Sequence, residues 1–236
     1  MSDTQQSQKN TLSPQNKVMI GMLVGVIVII ILFGYLKNRE TASIAPGAIL
    51  QGQNVAFVAN FNNTTLTQQE YEDLLFMREE EKMALDVYQF LSQQWQFNIF
   101  FSIARSEQRH TNRVANLLNV YNIPDPSLNK GPGEFLNNNL SELYSQLVVR
   151  GQSSILEALK VGALIEEVDI RDLDAAIQAT DKQDILLVYN NIRNGSYHHL
   201  RAFVHSIELY EKRYQAVILP QERVDSIVQS PLVLTP

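Results

Sequence analysis

Between residues 66 and 215 the apolar side chains recur at intervals of three and four, and no stretch of any length alternates apolar with polar. A period near 3.6 is that of a helix laying one face on a core, whereas a strand would repeat every second residue. The pattern therefore predicts an all-α domain. Capping and breaking signals divide it. Leu66-Thr67-Gln68-Gln69-Glu70-Tyr71 reads as a capping box with its hydrophobic staple, so a helix is expected over 68–94. A second is expected over 99–122, stopping before Pro124, because a residue that precedes proline is pushed out of the helical region. The turn-rich PDPSLNKGPG follows, then a short helix over 138–150 closed by Gly151. Ser154-Ile155-Leu156-Glu157 offers another capping box for a helix to about 179, and Asp181 can cap a last one over 182–214. Four long helices, with a shorter one in the connection between the second and third, is the order of a ferritin-like four-helix bundle with a crossover helix. No self-similarity at a fixed period supports a helical repeat instead.

Each long helix carries ionisable groups on the face that ought to be buried. The stripes are Leu74, Met77, Glu81, Ala84, Tyr88 and Leu91; Ile103, Glu107, His110, Val114 and Leu117; Ile155, Leu159, Gly162, Glu166, Asp169, Ile170 and Leu173; and Val188, Ile192, Ser196, His199, Phe203 and Ile207. Taken singly these have ordinary explanations. A lone histidine such as His199 can be a hydrogen-bonded core residue, and the run REEEK around Glu81 resembles a solvated face on which Glu80 competes for the inward position. Glu166 and Glu167 are adjacent, so at least one of them is expected to point out. Taken together they supply four carboxylates and two imidazoles near the middle of their helices: Glu81, Glu107, Glu166, Asp169, His110 and His199. Burying such groups unpaired costs several kcal/mol each. Two divalent cations would be neutralised by four carboxylates, and a carboxylate–imidazole donor set suits iron or manganese. The chain has no cysteine, which excludes thiolate metal sites, disulfides and cysteine nucleophiles. His198 and His205 fall on the polar side of the last helix and are left out of the set.

The N-terminal region reads differently. Residues 18–36, VMIGMLVGVIVIIILFGYL, are uncharged and long enough to span a bilayer, about 28 Å of helix at 1.5 Å per residue. A cleaved signal peptide would have a shorter apolar region and a prompt small-residue cleavage site, whereas Lys37, Asn38, Arg39 and Glu40 intervene here. The expectation is a single-pass membrane protein anchored through this helix. Lys9 and Lys17 nearly balance Lys37 and Arg39; the reading adopted is a cytoplasmic N-terminus with the main domain extracytoplasmic. The domain plan is a polar N-terminus at 1–17, the transmembrane helix at 18–36, a linker at 37–65, the helical bundle at 66–216 and an extended C-terminal tail at 217–236. A net charge of −6 gives no electrostatic footprint for nucleic acid. No Gly-rich phosphate loop, H-E-x-x-H pair or G-x-S-x-G elbow occurs.

EKMALDVY at 81–88 looks like the first-helix rubrerythrin pattern of a ligand Glu, an Ala three later and a Tyr seven later, and SEQRH at 106–110 resembles its Glu-x-x-His ligand pair. EEEKMALDVY, FFSIARSEQRH, VGALIEEVDIRDL and GSYHHLRAFV together resemble a ferritin-like family catalogued as a domain of unknown function (DUF 2202), over roughly 70–210. That resemblance implies the bundle fold and a di-iron centre, without implying a reaction. One departure stands out: a fourth-helix Glu-x-x-His would need Glu at 196, where this chain has Ser196, and Asp169 is the expected substitute. The function expected is a membrane-anchored di-iron protein that oxidises Fe(II) with O₂ or peroxide. Glu107 and Glu166 would bridge, and His110 and His199 would be terminal ligands. Electrons would come from an external donor, and the composition is compatible with a homodimer. The competing reading is a membrane-anchored scaffold whose buried polar groups satisfy one another.

Overall fold

The computed structural model describes residues 66–230, and these form six helices: α1 Gln68–Trp95, α2 Asn98–Val120, α3 Asn138–Gly151, α4 Ile155–Gln178, α5 Gln183–Glu208 and α6 Gln221–Gln229. Among the described residues there is no strand, so this region is all-α, as its periodicity predicts. The expected segments at 1–17, 18–36 and 37–65 lie outside the described residues. Among those described, no helix is long and apolar enough to cross a membrane.

Side-chain ties fix the helix directions. Trp95 Nε1 donates to the Gly151 carbonyl at 2.8 Å, joining the end of α1 to the end of α3. At the other end of the molecule Tyr121 donates to Asp184, and Thr180 donates to Glu70 Oε1 at 2.6 Å. So α1 and α5 run one way, α2 and α4 run the other, and α3 carries the chain back between them. The closest packing is α1 on α2 and α4 on α5; the two hairpins meet through α2 with α5 and α1 with α4, and α3 lies over α1 and α4.

Local chemistry explains most boundaries. The α1 capping box forms as expected, with Glu70 N donating to Thr67 Oγ1 at 3.1 Å and Thr67 N to Glu70 Oε2 at 2.7 Å. At α4 only half a box is present: Ser154 caps Glu157 N, while the Glu157 side chain pairs with Arg150 at 2.8 Å. Asp181 does not cap α5. The N-cap is Lys182, whose backbone N–H is taken by Thr180 Oγ1 at 3.1 Å.

The expected extended tail is the largest departure. The last long helix stops at Glu208 rather than near Tyr214, and α6 occupies part of the stretch 217–236. The reason is a carboxylate. Glu167, fully buried on α4, accepts Tyr214 Oη at 2.6 Å and the backbone N–H groups of Val217, Ile218 and Leu219 at 3.1, 2.7 and 2.8 Å. These donors turn the chain back onto the domain, and Val224 and Ile227 of α6 are then buried.

REEEK is not a solvated face either. The crossover connection covers it: Glu79 accepts the backbone N–H groups of Leu136 and Asn137, and Lys82 donates to the Gly131 carbonyl at 2.7 Å. Asp86 accepts Gly133 N at 2.9 Å. Glu79, Glu80 and Glu81 are all buried.

The apolar core itself comes in two pieces. One surrounds Leu74, Met77, Val114, Leu117, Leu173 and Ile192, and the other surrounds Val87, Leu91, Phe100, Leu159 and Phe203. Between them, in chain order on every long helix, lie the ionisable residues.

Candidate metal centre

Glu81 stands on α1, Glu107 and His110 on α2, Glu166 and Asp169 on α4, and His199 on α5; all six are buried. They hold together as two triads that share one residue. Glu81, Glu107 and His110 bring one donor atom each within 4.8 Å of one another, and so do Glu107, Glu166 and His199. Glu107 belongs to both, and its two oxygens are divided between them. Its Oε2 is 2.9 Å from His110 Nδ1, and its Oε1 is 2.8 Å from His199 Nδ1. Glu81 Oε2 completes the first triad at 3.5 Å from His110 Nδ1, and Glu166 Oε2 the second at 3.4 Å from His199 Nδ1. The two imidazoles stack, with centroids 5.5 Å apart.

The contact between Glu107 Oε1 and His199 Nδ1 is informative because it is close yet is not a hydrogen bond. Both atoms are buried without a hydrogen-bond partner, as are Glu81 Oε1 and Asp169 Oδ1. Buried polar atoms are nearly always paired, and leaving one unpaired costs on the order of 1–3 kcal/mol. Four such atoms lie within one set of six side chains, and two of them, Glu107 Oε1 and His199 Nδ1, meet as an ion pair at 2.8 Å. Such a set of buried carboxylates and imidazoles could hold a metal ion.

The electrostatics agree. Burial opposes the charge of Glu107, but His110 and then His199 beside it hold its carboxyl well below the usual range. Burial also opposes the charge of His110, which Glu107 and Glu81 nonetheless push up to about 10. His199 is likewise pushed up to about 9 against burial, by Glu166 and Glu107. Burial raises Glu81 to about 7, and it raises Glu166 and, more strongly, Asp169. Without metal, protons supply the positive charge that this donor set demands.

Asp169 stands apart from both triads. Its Oδ2 is bonded to Ser196 Oγ, the residue at the position where a fourth-helix glutamate was expected, and Ser196 also reaches the Ile192 carbonyl at 3.0 Å. Glu166 is orientated by Tyr88, whose hydroxyl donates to Oε1 at 2.6 Å. His198 and His205 are exposed, in line with their omission.

Two glycines support the site: Gly195, which lies outside the sequence stripes, and Gly162, which lies on one of them. Gly195 lets α5 approach α2: a Cβ there would sit 2.6 Å from His110 Nε2. Gly162 does the same for Phe203, whose ring would lie 2.4 Å from a Cβ, and its carbonyl faces the Tyr88 hydroxyl at 3.2 Å. Glycine inside a helix costs about 1 kcal/mol relative to alanine, and that cost is the sequence signal of close approach.

Comparison with known proteins gives three concordant matches. The family model described as an uncharacterized protein domain (DUF2202) matches residues 70–231. The chain is 43% identical over 174 residues to the uncharacterized protein MJ0754 of Methanocaldococcus jannaschii, covering 74% of this chain and 94% of that protein. The crystal structure of hypothetical protein MJ0754 from Methanococcus jannaschii DSM 2661 matches with a TM-score of 0.70 and 44% identity, over 73% of this chain and 98% of that one.

Proposed function

We propose, starting from the fact that this chain belongs to the DUF2202 family, that it is a membrane-anchored, ferritin-like four-helix bundle built around a dinuclear metal centre. The observation that carries this reading is the division of Glu107, one oxygen toward each histidine, with unpaired buried atoms on both sides of it. Glu81, Glu107 and His110 would hold one ion and Glu107, Glu166 and His199 the other, with Glu107 the shared ligand. The sequence reading gave Glu166 a bridging role as well; its place in the second triad alone favours a terminal one. Asp169, which accepts a hydrogen bond from Ser196, would complete the charge. Ferritin-like di-iron proteins supply the precedent for carboxylates and Glu-x-x-His pairs projecting inward from facing helices.

Iron is the metal we assign, with manganese the alternative, because hard carboxylates and imidazoles without sulfur suit both. Two irons held there would supply the electrons to reduce O₂ or peroxide, as a ferroxidase or a peroxide scavenger. The chain's own part is to hold the donors dry and pre-placed: Tyr88 fixes the Glu166 carboxylate, the Gly195 gap admits the His110 ring, and the two apolar clusters exclude water above and below. Electrons would return from an external donor, since a chain without cysteine has no thiolate-bound iron of its own. The segment at 18–36 would anchor the domain on the extracytoplasmic side, as a monomer or homodimer. A closed polar scaffold is disfavoured by Glu81 Oε1 and Asp169 Oδ1, buried without a hydrogen-bond partner, since such networks persist when every member is satisfied.

Anaerobic titration of the full chain with Fe(II), followed by oxygen with optical monitoring, tests the reading. Two ions bound per chain and an oxidation-dependent absorption band are expected. Absence of binding, with Glu107→Ala altering stability alone, would return the centre to a structural role.

A further inference from the structure

The net charge of −6 is a property of the interior. Eleven carboxylates are buried among the described residues, against a single lysine, Lys82, and no arginine. What remains outside is no longer acidic, and its cations are not evenly spread. Arg105, Arg109 and Arg113 follow one another at four-residue spacing along α2, all exposed. They span about 12 Å of helix and share one side of it. Arg109 Nη1 donates to the Arg105 carbonyl at 2.9 Å, and among the described residues none of the three is in an ion pair. The only carboxylate on α2, Glu107, faces inward. At the start of this face stand two exposed aromatic rings, Phe97 and Phe101, at 38% and 57% exposure.

An acid-free cationic stripe with aromatic side chains at one end is the surface chemistry of a helix that lies in a lipid headgroup layer: guanidinium groups on phosphate, rings at the interface. The chain supplies the rest. Twenty-nine residues separate the segment at 18–36 from Leu66, a chain length short enough to tie the two together, since at about 3.5 Å per residue it spans at most about 100 Å. An anchor at 18–36 would thereby keep the domain near a bilayer. We propose that the outer face of α2 docks the domain onto an anionic lipid surface, laying the helix that bears Glu107 and His110 against the membrane. This rests on the anchor in the preceding reading, and not on the metal centre.

Absence of cysteine makes the test clean, because one introduced thiol is the sole labelling site. A nitroxide is placed through Ser102→Cys on the stripe or, as a control, Ser145→Cys on α3, in the otherwise unaltered full chain reconstituted into vesicles. In phosphatidylglycerol–phosphatidylcholine vesicles the label at 102 should gain collisions with lipid-dissolved oxygen and lose them with an aqueous nickel chelate, while the label at 145 stays aqueous. Pure phosphatidylcholine, high ionic strength, or joint Arg105→Ala, Arg109→Ala and Arg113→Ala should each reverse the change. The triple substitution should weaken docking about a hundredfold, at about a fivefold factor per arginine near an anionic surface. If the chain floats with vesicles while the label at 102 remains aqueous in all of them, docking is refuted and the anchor stands. If it floats with anionic vesicles alone and the label still reports lipid, docking holds and the anchor fails. A label at 102 that is immobilised without lipid contact, by a second copy or by added duplex oligonucleotide, also overturns the proposal.

Discussion

Glu166 and Glu167 are neighbours on one helix, both buried, and they do opposite things. Glu167 is saturated: a tyrosine hydroxyl and three backbone N–H groups occupy its two oxygens. Glu166 has one donor, Tyr88, on Oε1, and turns Oε2 toward His199 and Glu107, where unpaired atoms collect. Burial alone therefore does not mark a functional carboxylate in this protein. Glu79, Asp86 and Glu167 are buried in order to hold the crossover connection and the C-terminal turn. Glu81, Glu107 and Glu166 are buried beside imidazoles with hydrogen-bonding capacity left over. The first kind stabilises the fold in every state, and the second kind is costly until something positive joins it.

The largest effect should come from removing the shared ligand. In the intact chain, Mn(II) or anaerobic Fe(II) at about a thousand times its dissociation constant should add about 4 kcal/mol to unfolding free energy for a single site. Glu107→Ala should abolish that increment in denaturant titrations, and a variant that kept it would break the distinction between the two carboxylate classes. Glu167→Ala should do the reverse. Stranding the buried Tyr214 hydroxyl and three partly buried backbone N–H groups should cost about 2–4 kcal/mol of stability while the metal increment is retained.

Gly195→Ala comes next, since its Cβ would press on the His110 ring. Loss of ligand support of this kind weakens metal affinity about 10- to 100-fold, readable by competition with a chelating dye. Tyr88→Phe, which frees Glu166, should lower affinity by about tenfold on the same grounds.

The pH dependence sharpens the comparison further. His110 and His199 titrate above the ordinary value of 6.5, so their contribution to the stability of the metal-free chain is whole below that value. It is lost as pH rises through about 9 and about 10. Glu81, raised to about 7, binds its proton more tightly in the native state, so it acts in the same direction as pH passes 7. Glu107, held low, gives stability that is lost only at acid pH. Metal-free protein should therefore weaken from pH 7 to pH 10, and metal should bind more tightly over that range as it displaces these protons. The smallest effect on metal binding is expected from Glu79→Gln and Asp86→Asn, whose carboxylates hold the crossover connection. Calorimetry in buffers of different ionisation enthalpy measures the protons released.

Much was legible in the residues. The helical stripes placed Leu74, Met77, Ile103, Val114, Leu159, Ile192 and Phe203 inside, and all are buried. The same stripes brought Glu107, His110, Glu166 and His199 inward, because helical phase alone decides which face a residue occupies. Phase could not decide what covers a face. Glu79 and Glu167 lie off the central stripe, and they are buried because a crossover connection and a returning C-terminal segment happen to lie over them. Asp181 had the right chemistry for a cap and the wrong place in the turn, so Thr180 holds the Lys182 N–H instead.

By itself, then, the sequence determined the all-α class, four long inward-looking faces and the six ionisable residues in their middle, since these follow from a 3.6-residue period and from residue type. Only the tertiary structure decided which of those residues meet and which oxygens stay unpaired. It also decided that the surface left outside is cationic along α2. Those outcomes depend on distances between helices, and a hydrogen bond is made or missed over a few tenths of an ångström that no one-dimensional pattern records.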